Sequence, residues 1–212
     1  EQRKSITALK LDAGVTAIGD YAFYECAITS VDLPAGVKKI GSYAFYRSSL
    51  TSLDIPESVT EVGKSAFESN KSMLKVSLPA SLQSVSVSMF ESCYNLQDVE
   101  FSTGLKTIEN HGFASCYELK SVVIPEGVTS IGDSAFQGCG GHPDYSGQFL
   151  KVKLPESLTY LGELAFYNCR ALQEINIPEG ITEIKSSTFG QCRSLTSITI
   201  PGHIKTIEKS VI

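Results

Sequence analysis

A fixed period governs this chain and restricts it to one class of architecture. The tripeptides ending in Pro34, Pro56, Pro79, Pro125, Pro155, Pro178 and Pro201 (DLP, DIP, SLP, VIP, KLP, NIP, TIP) recur along it. Asp12 and Ser102 hold the proline slot in two degenerate copies. The 212 residues therefore contain nine copies, spaced 22, 22, 23, 23, 23, 30, 23 and 23 apart. A unit this short cannot bury an apolar side alone, whereas stacking neighbouring units buries a continuous core.

The core can be read from the columns. Eleven residues after each of the first eight slots stands Phe23, Phe45, Phe67, Phe90, Phe113, Phe136, Phe166 or Phe189, which is eight of the ten phenylalanines. The positions one and three before the slot and six after it are apolar in all nine copies, the last reading Ile18, Ile40, Val62, Val85, Ile108, Ile131, Leu161, Ile184 and Ile207. Columns apolar throughout point inward.

Before the slot, apolar and polar residues alternate, as in Val31-Asp32-Leu33, which predicts a short strand with one buried face. Proline ends the strand by removing a backbone donor. A second short extended piece is predicted at residues 37–41 and their equivalents, with Gly19, Gly41, Gly63, Gly132 and Gly162 permitting a bend. Parallel strands stack about 4.8 Å apart, so eight steps give a rod or arc about 40 Å long. One domain is expected over residues 1–212, with a loop insertion near 140–147 that accounts for the seven extra residues of the sixth copy.

Composition excludes several classes of function. With 42% apolar and 19% charged residues the chain has material for a core. No run approaches the roughly 18 apolar residues of a membrane span, so no membrane insertion is expected. A net charge of −5 without clustered Lys or Arg argues against nucleic acid as a partner. The start, Glu1-Gln2-Arg3-Lys4-Ser5, lacks the apolar core of a leader, which leaves a cytosolic chain or one that begins after a removed leader.

Catalytic and metal constellations are not legible. His111, His142 and His203 fall in three copies at three different places, so no metal site is expected. Gly63-Lys64-Ser65 resembles the end of a phosphate-binding loop, but Ser58 stands where the loop needs glycine. In Gly132-Asp133-Ser134-Ala135-Phe136 the second glycine of a nucleophile elbow is replaced by the repeat phenylalanine. No enzyme activity and no cofactor are expected.

Taken together the copies give the consensus L-x-x-[LVI]-x-[LI]-P-x-x-[VLI]-x-x-[IVL]-G-x-x-A-F-x-x-C-x-x-L. This resembles the leucine-rich repeats of BspA-like proteins, surface proteins of anaerobic bacteria that also occur in some parasitic protists. The resemblance runs from Ile6 to Ile207. It implies a leucine-rich-repeat solenoid, a right-handed superhelix of short strands and turns in about nine coils of 22–23 residues. It also implies an extracellular or cell-surface protein used in adhesion to host proteins or other cells. Cys26, Cys93, Cys116, Cys139, Cys169 and Cys192 each lie three residues after the repeat phenylalanine, and Ser48 and Asn70 stand there in the other two copies. That matches the Asn-or-Cys position of leucine-rich repeats, where a small side chain meets backbone groups inside a turn. Free buried thiols are expected, although stacked neighbours at about 4.8 Å are within disulfide range.

Three surfaces are candidates for binding a host extracellular protein or a glycan. Polar positions two and four before the slot include Asp32, Asp54, Asp98, Glu100, Lys151 and Lys153, a strip acidic in its first half and basic near the insertion. The same charges also fit simple solubility. The insertion Gly140 to Gly147, with His142 and Tyr145, interrupts the pattern where recognition loops are often found. Tyrosines share columns as Tyr21 with Tyr43, Tyr24 with Tyr46 and Tyr167, and Tyr94 with Tyr117. They fit either binding anchors or a cover for the core edge with the hydroxyl in water. A spacer segment without a ligand is the alternative function. Open solenoid ends expose strand edges, so a longer native protein or end-to-end self-association is expected.

Overall fold

The computed structural model describes residues 5–141 and 150–212. Its strands follow in chain order as β1 (Ala8–Lys10), β2 (Ala17–Ile18), β3 (Ser30–Asp32), β4 (Lys39–Ile40), β5 (Ser52–Asp54), β6 (Glu61–Val62), β7 (Lys75–Ser77) and β8 (Ser84–Val85). They continue as β9 (Asp98–Glu100), β10 (Thr107–Ile108), β11 (Ser121–Val123), β12 (Ser130–Ile131), β13 (Lys151–Lys153), β14 (Tyr160–Leu161), β15 (Glu183–Ile184) and β16 (Thr206–Ile207). All pairing is parallel and in repeat register, for instance Leu9 with Val31, Val76 with Val99, and Ile108 with Ile131. The chain is thus a β-solenoid of stacked coils, with no helix among the described residues.

Three hydrogen-bonded ladders run along the stack. The first joins strands that precede the proline slot, as β1-β3, β5-β7-β9 and β11-β13. The second joins the two-residue strands, as β2-β4-β6, β8-β10-β12-β14 and β15-β16. The third is formed by the phenylalanine turn. There the Tyr21, Phe23 and Glu25 N–H groups donate to the Ser42, Ala44 and Tyr46 carbonyls of the next coil at 2.8–2.9 Å. The intervening Ala22, Tyr24 and Cys26 N–H groups donate back within the turn, to Gly19, Tyr21 and Phe23. Alternation of this kind pairs every backbone donor of the turn. It requires left-handed backbone at two places per coil, φ 56° at Tyr21 and 54° at Glu25, then 56° at Tyr43 and 48° at Arg47.

Inside the ladders the phenylalanines form one stacked column. Consecutive ring centroids from Phe23 to Phe166 lie 5.2–5.7 Å apart with interplanar angles of 4–20°, within the range favoured for offset aromatic pairs. Phe45 and the six that follow are completely buried, whereas Phe23, in the first coil, is only partly so.

Two sequence expectations need correction. The pre-proline strand was expected in every copy, yet residues 174–176 and 197–199 form none. At the seventh and eighth coils the Asn176 side chain stands in for the ladder: Leu154 N–H donates to its Oδ1 at 2.9 Å and its Nδ2 donates to Leu154 O at 2.8 Å. Neither β13 nor β14 pairs with a strand of the eighth coil, and the Phe166–Phe189 centroids open to 6.3 Å. The turn ladder alone continues unbroken there, through Leu164, Phe166 and Asn168. Second, the repeat glycines do not serve a bend. A Cβ on Gly41 would lie 2.5 Å from Asp20 N, and one on Gly63 or Gly162 would lie 2.4 or 2.5 Å from Ser42 N or Asp133 N. These glycines let the backbones of adjacent coils approach.

The cysteine column forms a fourth, side-chain ladder. Cys93, Cys116, Cys139, Cys169 and Cys192 each donate S–H to the repeat-phenylalanine carbonyl of the coil before, at 3.1–3.4 Å. Ser48 donates to Phe23 O at 3.3 Å, and Asn70 bonds both Phe45 O and Phe67 O at 2.8 Å. Cys, Ser and Asn interchange because each supplies that donor. Burial pushes the Cys93 thiol up to about 12 and raises Cys116, Cys139 and Cys169 well above the ordinary range. At pH 8 these thiols should therefore resist alkylation in the folded chain, since the thiolate is the nucleophile. All six should take the label once the chain is unfolded, and a mass short by two or more labels would show disulfides instead. At pH 10 the native state holds more protons than the unfolded state, so stability falls as pH rises from about 9 towards 12.

Candidate functional site

The charged strip lies on the first ladder. Register sets Lys10 beside Asp32, Ser77 between Asp54 and Glu100, and Val123 beside Lys153, with Lys75 beside Asp98 and Ser121 beside Lys151. Asp32, Asp54, Asp98, Glu100, Lys151 and Lys153 are all exposed. The acidic half is not uniformly acidic, however. Lys75 Nζ sits 2.6 Å from Glu100 Oε1, and Ser77 Oγ donates to Glu100 Oε2 at 2.6 Å. The Lys75 ammonium, then the Ser77 hydroxyl, hold the Glu100 carboxyl below the usual carboxylate range. Lys75, four residues before Pro79, belongs to the same strip although it is not among the six charges expected there. Lys151 and Lys153 border an open groove of about 530 Å³ beside Glu174 and Asn176, where the first ladder lapses. His142 and Tyr145 lie outside the described residues.

The phenylalanine turn carries a second surface. Tyr21 stacks on Tyr43 at 5.0 Å and 9°, and Tyr24 on Tyr46 at 4.9 Å and 8°. The two stacks touch, Tyr21 to Tyr24 at 5.6 Å with the rings tilted by 54°, and Tyr43 to Tyr46 at 5.7 Å edge to face. The four rings make one aromatic platform on the first two coils. The Arg47 guanidinium lies 5.2 Å from the Tyr46 ring centroid and the Lys64 ammonium 5.7 Å from that of Tyr43. Arg47 is held in turn by Glu25 at 3.2 Å. Tyr21 is 53% exposed and the other three rings are partly so. The sequence shows the columns. It does not show that the left-handed backbone at Tyr21 and Tyr43 belongs to a turn whose donors are all paired, which fixes the rings in place.

Among the described residues no three His, Cys, Asp or Glu side chains converge as metal ligands, and no helix is long and apolar enough to cross a membrane.

The fold and these surfaces can be set beside known proteins. A model of the BspA type leucine-rich repeat region matches residues 2–142 and 144–212, in six copies. A leucine-rich repeat protein from Bacteroides ovatus is 26% identical, over 95% of this chain and 62% of its own length, with a TM-score of 0.67. The T. pallidum leucine-rich repeat protein is 28% identical over 76% of this chain and 75% of that one, with a TM-score of 0.69. The pneumococcal vaccine antigen PcpA shares the fold at 18% identity, covering 92% of this chain and 51% of that one at a TM-score of 0.55. The chain thus spans less than two thirds of the Bacteroides ovatus protein. No curated protein matches it. With both parts of its length matched by that model, and the coils stacked in the repeat register, the chain belongs to the BspA-type leucine-rich-repeat family.

Proposed function

We propose that this chain is a non-catalytic binding module of a secreted or cell-surface bacterial protein, and that it adheres to a host extracellular protein. The observation that carries this reading is the four-tyrosine platform of Tyr21, Tyr24, Tyr43 and Tyr46. Binding energy at protein interfaces concentrates in a few rigid aromatic and arginine side chains. Here four rings, with Arg47 and Lys64 over them, are held on a backbone that is hydrogen-bonded coil to coil. Little side-chain entropy remains to be lost on binding. Family membership supports placement at the cell surface, as the sequence resemblance implies.

The strand-face strip is a second surface, favoured by the exposure of all six of its predicted charges. Its role is to steer a charged partner, since single solvated charges add little affinity. The test is binding of the chain to an immobilised panel of extracellular-matrix proteins. It is repeated with Tyr21→Ser, Tyr43→Ser, Tyr24→Gln and Tyr46→Gln combined, residue types that Ser65, Ser88 and Gln137 already place in those columns. The parent should bind a panel member, and the variant should bind it about 30-fold or more weakly. A parent that binds nothing on the panel supports the spacer reading instead.

A further inference from the structure

One surface column, fifteen residues after the proline slot, reads Lys71, Tyr94, Tyr117, Gly140 and Arg170 through five successive coils. The side chain is missing only at Gly140. A cavity of about 630 Å³ lies along this column, with Lys71, Tyr94, Tyr117 and Arg170 in its wall and the adjoining Gly141 at its side. That volume suits a small ligand. The remaining wall is polar, with Asn95, Glu118 and Asn168.

The wall chemistry is specific. Tyr94 and Tyr117 stack at 5.1 Å and 18°, and the Lys71 ammonium stands 5.0 Å from the Tyr94 ring centroid. Arg170 Nε donates to Asn168 Oδ1 at 2.9 Å. This spends one of its five donors and orients the rest of the guanidinium. Glu118 is only 9% exposed. We propose that this cavity binds a carboxylate-bearing sugar ring, such as a uronic or sialic acid unit.

Each part of such a ligand has a counterpart. A pyranose has an apolar face that suits aromatic walls, and Tyr94 and Tyr117 provide them. Its hydroxyl groups both donate and accept, which suits the amides of Asn95 and Asn168 and the acceptor-only carboxylate of Glu118. Its carboxylate suits the planar fork of Arg170, with Lys71 as a second cation. Phosphate has no apolar face for the Tyr94 and Tyr117 rings, and in its dianionic form offers Glu118 at most one hydroxyl hydrogen. The platform of Tyr21, Tyr24, Tyr43 and Tyr46 belongs to the first two coils and the cavity to the third through seventh, so this inference is independent of the proposed protein partner.

The experiment follows amide and side-chain NMR shifts of the whole chain during titration with N-acetylneuraminic acid and with D-glucuronic acid. Methyl β-D-glucopyranoside, acetate and inorganic phosphate serve as comparison probes. Saturable shifts are expected at Tyr94, Asn95 and Arg170 with at least one acidic sugar. The neutral glycoside should bind about tenfold or more weakly, as expected for the loss of a charge-assisted hydrogen bond. Arg170→Gln and Lys71→Ser should each weaken the acidic sugar by a similar factor while leaving thermal unfolding unchanged. If Arg170→Gln fails to fold, the exposed Lys71→Ser decides alone. The proposal is overturned if neither acidic sugar shifts these residues, if acetate or phosphate binds as tightly, or if the folded variants bind the sugar like the parent.

Discussion

Replacing Phe113 by alanine is expected to destabilise the chain by about 3–5 kcal/mol, the cost of deleting a large buried ring together with the cavity it leaves. Phe113 is fully buried. Its ring packs 5.3 Å from Phe90 and 5.4 Å from Phe136, and Phe101 meets its edge at 5.5 Å and 73°. Neighbouring coils cannot close the gap, because their separation is set by the turn ladder, in which Phe113 N–H itself donates to Ala135 O at 2.8 Å. Against a total stability of about 5–15 kcal/mol for an ordinary domain the loss is large. Phe23→Ala, at the partly buried start of the column, should cost clearly less. Denaturant unfolding of both variants measures the difference, and a Phe113→Ala loss below about 1.5 kcal/mol would contradict a rigid stack.

Gly63→Ala should be nearly as damaging, and Gly19→Ala should be harmless, although the two glycines hold the same place in the repeat. An added Cβ at Gly63 would lie 2.4 Å from Ser42 N and 2.7 Å from its Cα, while one at Gly19 meets nothing within 4 Å. Ser42 cannot yield easily. Its N–H is held by Asp20 Oδ1 at 2.7 Å and its carbonyl accepts from Tyr21 N–H at 2.9 Å. Overpacking against a fixed backbone costs about 1–3 kcal/mol, and the upper end is expected here. Gly19→Ala should be neutral, or stabilising by up to about 1 kcal/mol through the unfolded chain. Thermal melts of the pair check this. Equal effects would mean that these glycines serve backbone conformation and not close approach.

The contrast between these glycines shows where sequence reading stops. Columns that are apolar in every copy, such as the one from Ile18 to Ile207, announce their inward direction because burial acts alike on each coil. A glycine gives no such signal, since close approach and a bend demand the same residue. Left-handed backbone is hidden for a different reason. At Tyr21, Tyr43 and Leu164 it is held by residues with no special preference for it, at φ 56° in each. Only the inter-coil hydrogen bonds explain their conformation. The lapse of the first ladder after β13 goes with the bonds of the Asn176 amide to Leu154, which no periodicity encodes. At the surface, the tyrosine columns and the charges of Asp32, Asp54 and Glu100 were legible as positions. The stacking of four rings into one platform, and the capture of Glu100 by Lys75 and Ser77, arise only when residues of successive coils meet.

The most direct test of the account compares two folded variants against the same matrix ligand. One removes the tyrosine platform, with serine at positions 21 and 43 and glutamine at 24 and 46. The other reverses the strand-face strip, with Asp32, Asp54 and Glu100 changed to lysine. If recognition rests on the aromatic turns, the first variant loses about 30-fold or more in affinity. The second then changes affinity only a few-fold, in a salt-dependent manner. Loss of binding confined to the charge-reversed variant, with the tyrosine-free chain binding as the parent does, would contradict the account and move the recognition surface to the first ladder.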